Sequence, residues 1–417
     1  MPDDNGVVRR IAWKQICPWL LIFRIFRISI SLPVLVLAVT GALLTPLGWW
    51  AGETLFIADD DLRQPQFSEF VEASSKWPLA IDGGATPISD SAAAFASPAP
   101  WRMESNHVVA TYRKFTSPFA KLLNRQLSVT QVAYLLFGGL WNIALWAFFG
   151  GAITRLAAVQ LGREERLGMR SAIKHVTKNY IWYLLAPLFP MLGVVLTSLP
   201  VIALGWLMRL DVGVMIAGVL WPLALVAGLI MVILMIGLLF GWPLMFPTIS
   251  SEEGSDAFEA FSRSFSYTYQ RPLHYLFYAF VTVLFGGVCW LVVSFVGVQV
   301  VQASLWAASW GAGSERLNDV LIANGSTLTQ NGGLLIHACN GIVGVIVTAF
   351  SFSFFWCGAS AIYLLLRRDT DQMDIDEVYL EATEPNDTPA KPMEDETPDK
   401  DSAKSSDSKA ATDEPES

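Results

Sequence analysis

Between Arg125 and Arg368 the chain passes through four stretches with no Asp, Glu, Lys or Arg: 126–154, 179–208, 212–251 and 320–366. A fifth, 272–314, has His274 as its only acidic or basic side chain. Each is longer than the ~20 apolar residues with which a helix crosses a ~30 Å hydrocarbon core. A lipid-exposed segment must also satisfy its own backbone hydrogen bonds, which a helix does internally. The reading is an all-α, polytopic transmembrane helix bundle of about six spans, accompanied by amphipathic interfacial helices and an acidic, disordered C-terminal tail.

Composition supports this: 53% of residues are hydrophobic and 16% charged, against about a quarter charged in soluble domains. The net charge of −9 misdescribes the membrane body. Residues 369–417 hold 17 acidic and 4 basic side chains, a charge of −13, which leaves +4 for residues 1–368. Cys17, Cys289, Cys339 and Cys357 are scattered without a CxxC pair. They predict buried free thiols, with no disulfide framework and no zinc site.

Charge asymmetry sets the expected threading. Residues 1–27 mix Arg9, Arg10, Lys14, Arg24 and Arg27 with aromatic and aliphatic side chains, as a segment lying at the headgroups does. Residues 28–50 read as a retained signal-anchor span and 51–128 as a loop domain outside the cytoplasm. The end of that loop, with Phe115, Phe119, Leu122 and Leu123 opposite Lys114 and Lys121, reads as a helix on the outer interface.

Residues 129–368 form the remaining five-span bundle. Arg155, Arg163, Arg166, Arg170, Lys174 and Lys178 cluster after the second span, whereas the short loops assigned outside carry only Arg209 and Arg316. Both termini are therefore expected in the cytoplasm. Several tryptophans near span ends, Trp49, Trp50, Trp182, Trp242, Trp306 and Trp310, read as interface anchors. The stretch 212–251, with Pro222, Pro243 and Pro247, reads as a long tilted span or one with a re-entrant piece.

Residues 171–178 and 256–263 share a pattern of capping residue, alanine, large apolar residue, later apolar residue, hydroxyl and base. Each opens an expected amphipathic helix and leads into an aromatic-rich span, so 168–250 and 253–368 read as two copies of one unit. Asp256 and Glu259 have capping-box spacing. Phe258, Phe261 and Phe265 form one apolar face.

The run from Ser255 through Asp256, Phe258, Phe261 and Arg263 to Ser264, followed by Gln270, Arg271 and Pro272 and an aromatic span, resembles a signature of a bacterial polytopic membrane family. That family is related to the membrane domain fused to some glycerophosphodiester phosphodiesterases. The resemblance covers roughly 132–366. Because no phosphodiesterase domain accompanies it, the resemblance implies a membrane module without chemistry of its own.

The residues themselves suggest no catalyst. His107, His175, His274 and His337 lie in four separate segments, and there is no HExxH, phosphate loop or GxSxG elbow. No cofactor, metal or nucleic acid is expected, and the expected partners are the bilayer and a protein reached through the cytoplasmic helices or the tail. Two sets of residues stand out. Asn142, His337 and Asn340 are polar groups inside spans, where such groups join helices or line a substrate path. Ile375, Val378, Tyr379 and Leu380 form an apolar group in the acidic tail, placed to dock on the basic loop 163–178. The leading reading is a non-enzymatic structural or interaction module of the cell envelope. The alternative is a transporter for a small or lipidic substrate.

Overall fold

The charge-free stretches all become long helices, and among the described residues every regular element is helical. The structure, a computed structural model, describes residues 17–56, 106–124, 126–322 and 324–380. A 3-10 segment, Pro18–Arg24, runs into α1 (Ile25–Ser29). Then follow α2 (Leu32–Phe56), α3 (His107–Leu122), α4 (Val129–Gly162), α5 (Met169–Leu207) and α6 (Asp211–Ser251). The second half comprises α7 (Ala257–Gln270), α8 (Pro272–Ala312), α9 (Ser314–Leu321) and α10 (Thr327–Asp371). Six of these, α2, α4, α5, α6, α8 and α10, are long and apolar enough to cross a membrane. The protein is an integral, multi-pass membrane protein. The expectations for residues 1–16, 57–105 and 381–417, including the disordered tail, lie outside the described residues.

The spans pair as α2 with α4, α5 with α6, and α8 with α10. Glycine sets the first pairing: Gly48 leaves room for the Trp141 ring, and Gly138 for Trp49. Side chains with no lipid-driven reason to associate gain their contact energy from such close approach. The helix α10 is the hub and touches α2, α3, α4, α6, α7 and α8. Its residues 349–367 are buried throughout, as are 150–159 of α4 and 243–251 of α6. These segments form one dense end of the bundle, called here the basic end because Arg155, Arg163, Arg263 and Arg367 gather there. The other halves of α5 and α6 cover mainly each other, and Leu192, Val219 and Leu225 remain exposed. A helix that is apolar all round is suited to lipid.

Several local expectations change. The helix α3 does not lie on an interface but enters the bundle. Asn106 caps it by accepting from Val108 and Val109 N–H, and the Asn106 amide donates to the Val283 carbonyl of α8 at 3.1 Å. Phe115 then meets Trp146, Trp242, Phe352, Phe355 and Trp356. An apolar face that reads as amphipathic has found a protein partner, while Lys114 places its amine 5.3 Å from the Phe352 ring centre. His107 stacks on Trp290 at 3.4 Å between ring centres. Burial, and secondarily Lys114, push its imidazole down to about 4.

Nor does all of 1–27 rest at the headgroups: Ile22 and Ile25 are fully buried, and Phe23 and Phe26 meet Phe285 and Phe350. The first span starts at Leu32 rather than 28 and reaches Phe56. Trp49 and Trp242 pack inside the bundle rather than anchoring an interface. The proposed repeat units differ in build. Ser171 lies inside α5, which Gly168 starts without a side-chain cap and which continues unbroken to Leu207. The second unit breaks at Arg271, where Pro272 opens α8, and Asp256 does cap α7 by accepting from Glu259 N–H at 2.8 Å. The three prolines of 212–251 lie within one continuous α6. Cys289 and Cys357 are buried free thiols, but Cys17 is half-buried and Cys339 exposed.

Candidate functional site

The end of a helix leaves its last carbonyls without intrahelical partners, and the end of α6 shows where they go. Arg155 of α4, itself buried, donates to the Ser250 carbonyl. The Ser250 hydroxyl pairs with Thr154 and with Tyr183 of α5, each at 2.8 Å. One residue on, the Ser251 carbonyl accepts from the backbone N–H of Tyr379 at 3.0 Å. Thus two helices, α4 and α5, and the segment after α10 meet on the end of α6.

Glu252, the next residue, is shared by three partners. Arg367 of α10 lies 3.0 Å from its carboxylate and Arg263 of α7 3.2 Å, and the Tyr363 hydroxyl donates to it at 2.9 Å. Arg263 also pairs with Glu259 at 2.7 Å, one turn away on α7. Desolvation works against the charge of Arg263, but Glu252 and Glu259 hold its pKa above the ordinary guanidinium value. Tyr267 of α7 donates to the Asp371 carboxylate, and burial, reinforced by that acid, raises its phenol. Tyr278 donates to Asp369 at 2.7 Å. The start of the acidic tail is thereby fastened to α7 and α8.

Beyond α10 the chain turns in left-handed backbone at Gln372 and runs back over this junction. Val378 is 1% exposed. It sits on Gly162, where a Cβ would come within 2.6 Å of the Val378 Cγ2 and 2.7 Å of the Ile375 carbonyl oxygen. Arg163 donates through Nε to the Val378 carbonyl at 2.7 Å, and Arg367 donates to the Glu377 carbonyl at 2.7 Å. With the Tyr379 N–H on Ser251, three bonds hold the backbone of this strap. Of the four tail residues singled out in the sequence, Val378 is the buried one, while Ile375 and Tyr379 are half-buried. Leu380 begins a separate unit, whose other residues lie outside the described ones.

The intramembrane polar residues do not form one group. His337 reaches the Leu321 carbonyl on α9 at 2.8 Å through Nε2, and Asn340 lies one turn further along α10. Asn142 instead lines a cavity of about 900 Å³ between α3, α4, α5 and α6. It is 4% exposed and its Oδ1 has no hydrogen-bond partner. Sequence reasoning passed over Gly162, Glu252 and Ser250 and counted Arg155 only as a loop charge. One signal was present: Arg155 follows the charge-free stretch directly and is succeeded by Leu156, Ala157, Ala158 and Val159, too early for a free loop. Among the described residues no group of three or more His, Cys, Asp or Glu is placed to hold a metal ion. No family model, curated protein or solved structure matches the chain.

Proposed function

We propose that this protein is a membrane-embedded interaction module that works by binding rather than by covalent chemistry, and that its basic end is the binding surface. The observation that carries this is the seat of Val378, an apolar side chain buried on a glycine while two arginines and one carbonyl grip the main chain around it. Recognition of an extended segment through its backbone, with one side chain supplying register, is a recurrent way of binding peptides. The protein's own strap occupies the site, and a partner segment of similar pattern competes for it. The charged groups nearby serve as braces: Glu252 is matched by Arg263 and Arg367, and Arg155 by Ser250.

The basic end faces the cytoplasm in this reading, because Arg155, Arg163, Arg166, Arg170, Lys174, Lys178, Arg263 and Arg271 lie in or beside its short loops, against Arg209 and Arg316 in the short loops at the other end. The membrane is the inner membrane of a bacterium, as for the family that 255–264 resembles, and both termini are cytoplasmic. Reporter fusions test the orientation. Those after Lys178, Arg271 and Arg368 should report cytoplasm, and those after Asp90 and Asn324 the opposite side. A cytoplasmic signal at Asp90 overturns the six-span threading. A competing peptide spanning residues 373–380 should expose the strap to protease, and a Val378→Ser peptide should do so much less. Equal effects of the two peptides would remove the basis for a binding groove.

A further inference from the structure

On α5, burial and charge are sorted by face. Ala172, Val176, Tyr183 and Ala186 are buried on one side of the helix. The opposite side carries Arg170, Lys174, Lys178, Ile181, Leu185 and Leu192, all exposed, in steps of four, four, three, four and seven residues. Such steps keep a single stripe on a helix of 3.6 residues per turn. The stripe changes chemistry once. It is cationic as far as Lys178 and hydrocarbon from Ile181 onward, where Ile181 and Leu192 are 48% and 56% exposed. Tyr180 and Trp182 flank the change, as aromatic side chains do at the boundary between headgroups and hydrocarbon.

The depths match one leaflet of a bilayer. At ~1.5 Å per residue, Lys178 lies about 3 Å and Lys174 about 9 Å before Tyr180 along the helix axis. The headgroup region adds roughly 5–8 Å to each side of the hydrocarbon core. The two lysines therefore bracket it, while Ile181, Leu185 and Leu192 lie at the depth of acyl chains. Arg170, one turn further out, adds to the attraction on an anion at the surface. The protein supplies little acid to offset these charges. Helix α5 contains no Asp or Glu, and residues 165–178 hold four bases, Arg166, Arg170, Lys174 and Lys178, against Glu165. Glu164 is engaged with Arg24 at 3.2 Å, and Asp256, at the start of the adjacent α7, caps that helix. A ligand complementary to the stripe has an anion at one end and hydrocarbon at the other.

We propose that this face of α5 binds an anionic phospholipid of the leaflet at the basic end, with its phosphate between Lys174 and Lys178 and an acyl chain along Ile181, Leu185 and Leu192. Lysine serves phosphate as a point charge. A zwitterionic phospholipid brings its own ammonium beside the phosphate and gains less from the lysines. A soluble phosphate would leave the apolar half of the stripe uncovered. This proposal stands independently of the strap at the basic end.

The test uses the full chain in phosphatidylcholine nanodiscs containing a trace of photoactivatable phosphatidylglycerol or phosphatidylcholine with the same acyl chains. Labelling of residues 181–192 is read against that of 219–225 of α6, an exposed part of a charge-free stretch. Relative to that standard, the phosphatidylglycerol probe should label 181–192 about fivefold more than the phosphatidylcholine probe for each lysine engaged, the effect of one cation near a membrane surface. Lys174→Gln should lower the ratio about fivefold, Lys174→Arg should keep it, and added salt should reduce it. Unlabelled phosphatidylglycerol should compete where glycerol phosphate in solution does not, a result that needs no variant. Equal labelling by the two probes overturns the headgroup assignment. A preference that Lys174→Gln and Lys178→Gln together leave unchanged overturns the site on α5. Competition by glycerol phosphate equal to that by the lipid overturns the part given to the apolar stripe.

Discussion

Substituting alanine for Gly162 tests the strap with one methyl group. The residue ends α4 in ordinary helical backbone, where alanine is favoured over glycine by ~1 kcal/mol, so α4 itself should not suffer. The added Cβ, however, would fall 2.6 Å from the Val378 Cγ2 and 2.7 Å from the Ile375 carbonyl oxygen. The first can move, but the second is backbone and must shift the strap bodily. Burial of Val378 contributes about 1.5–3 kcal/mol. Two arginine-to-carbonyl bonds add ~1.5–3 kcal/mol each, and the Tyr379 N–H bond about 1. Against this, ordering the seven residues 373–379 costs at least ~1 kcal/mol apiece. Gains and costs cancel to within a few kcal/mol, so the docked state is held by a small margin, and losing the Val378 contact should shift its population by tenfold or more. Hydrogen exchange of the amides of residues 375–379, read against those of 350–366 as an internal standard, is the assay. The expected outcome is fast exchange and protease cleavage confined to the strap, with unchanged protection in α10. Unaltered protection of Tyr379 N–H in Gly162→Ala would refute the account of how Val378 is seated.

The rest of the molecule offers sharper stability tests. Gly138→Ala places a methyl group inside the Trp49 ring position and should cost about 1–3 kcal/mol by overpacking, seen as a lower Tm in detergent. Gly205→Ala, with open space around it, should not. Glu252→Gln leaves the nearly buried Arg367 without its carboxylate and should cost ~3 kcal/mol or more, whereas Glu259→Gln, on the partly exposed side of α7, should cost under 1 kcal/mol. His337→Ala removes one contact with α9 and should lower stability by ~0.6–2 kcal/mol, with α9 opening first in hydrogen exchange. A fall in Tm from Glu259→Gln as large as that from Glu252→Gln would show that Glu252 is not what ties Arg263, Tyr363 and Arg367 together.

What the residues decide alone is the class of structure. Charge-free stretches longer than a bilayer core leave no alternative to spanning helices, and the sequence accordingly places all six, with the cap at Asp256. These are local properties: hydrocarbon tolerates no unsatisfied backbone, and a capping side chain reaches only its own first turn. The partner of each face was decided by tertiary structure. The α3 pattern of Phe115 and Phe119 opposite Lys114 is the same whether the helix lies on lipid or against α4 and α10. The backbone carbonyl of Val283, which receives Asn106, has no signature in sequence. Asn142, His337 and Asn340 share a chemistry but not a place, since depth along two helices depends on how they pair. Gly162 looked like any glycine near a helix end until Val378 came to rest on it from more than two hundred residues away. Such a contact depends on how distant segments pack, information that no local window of the chain contains.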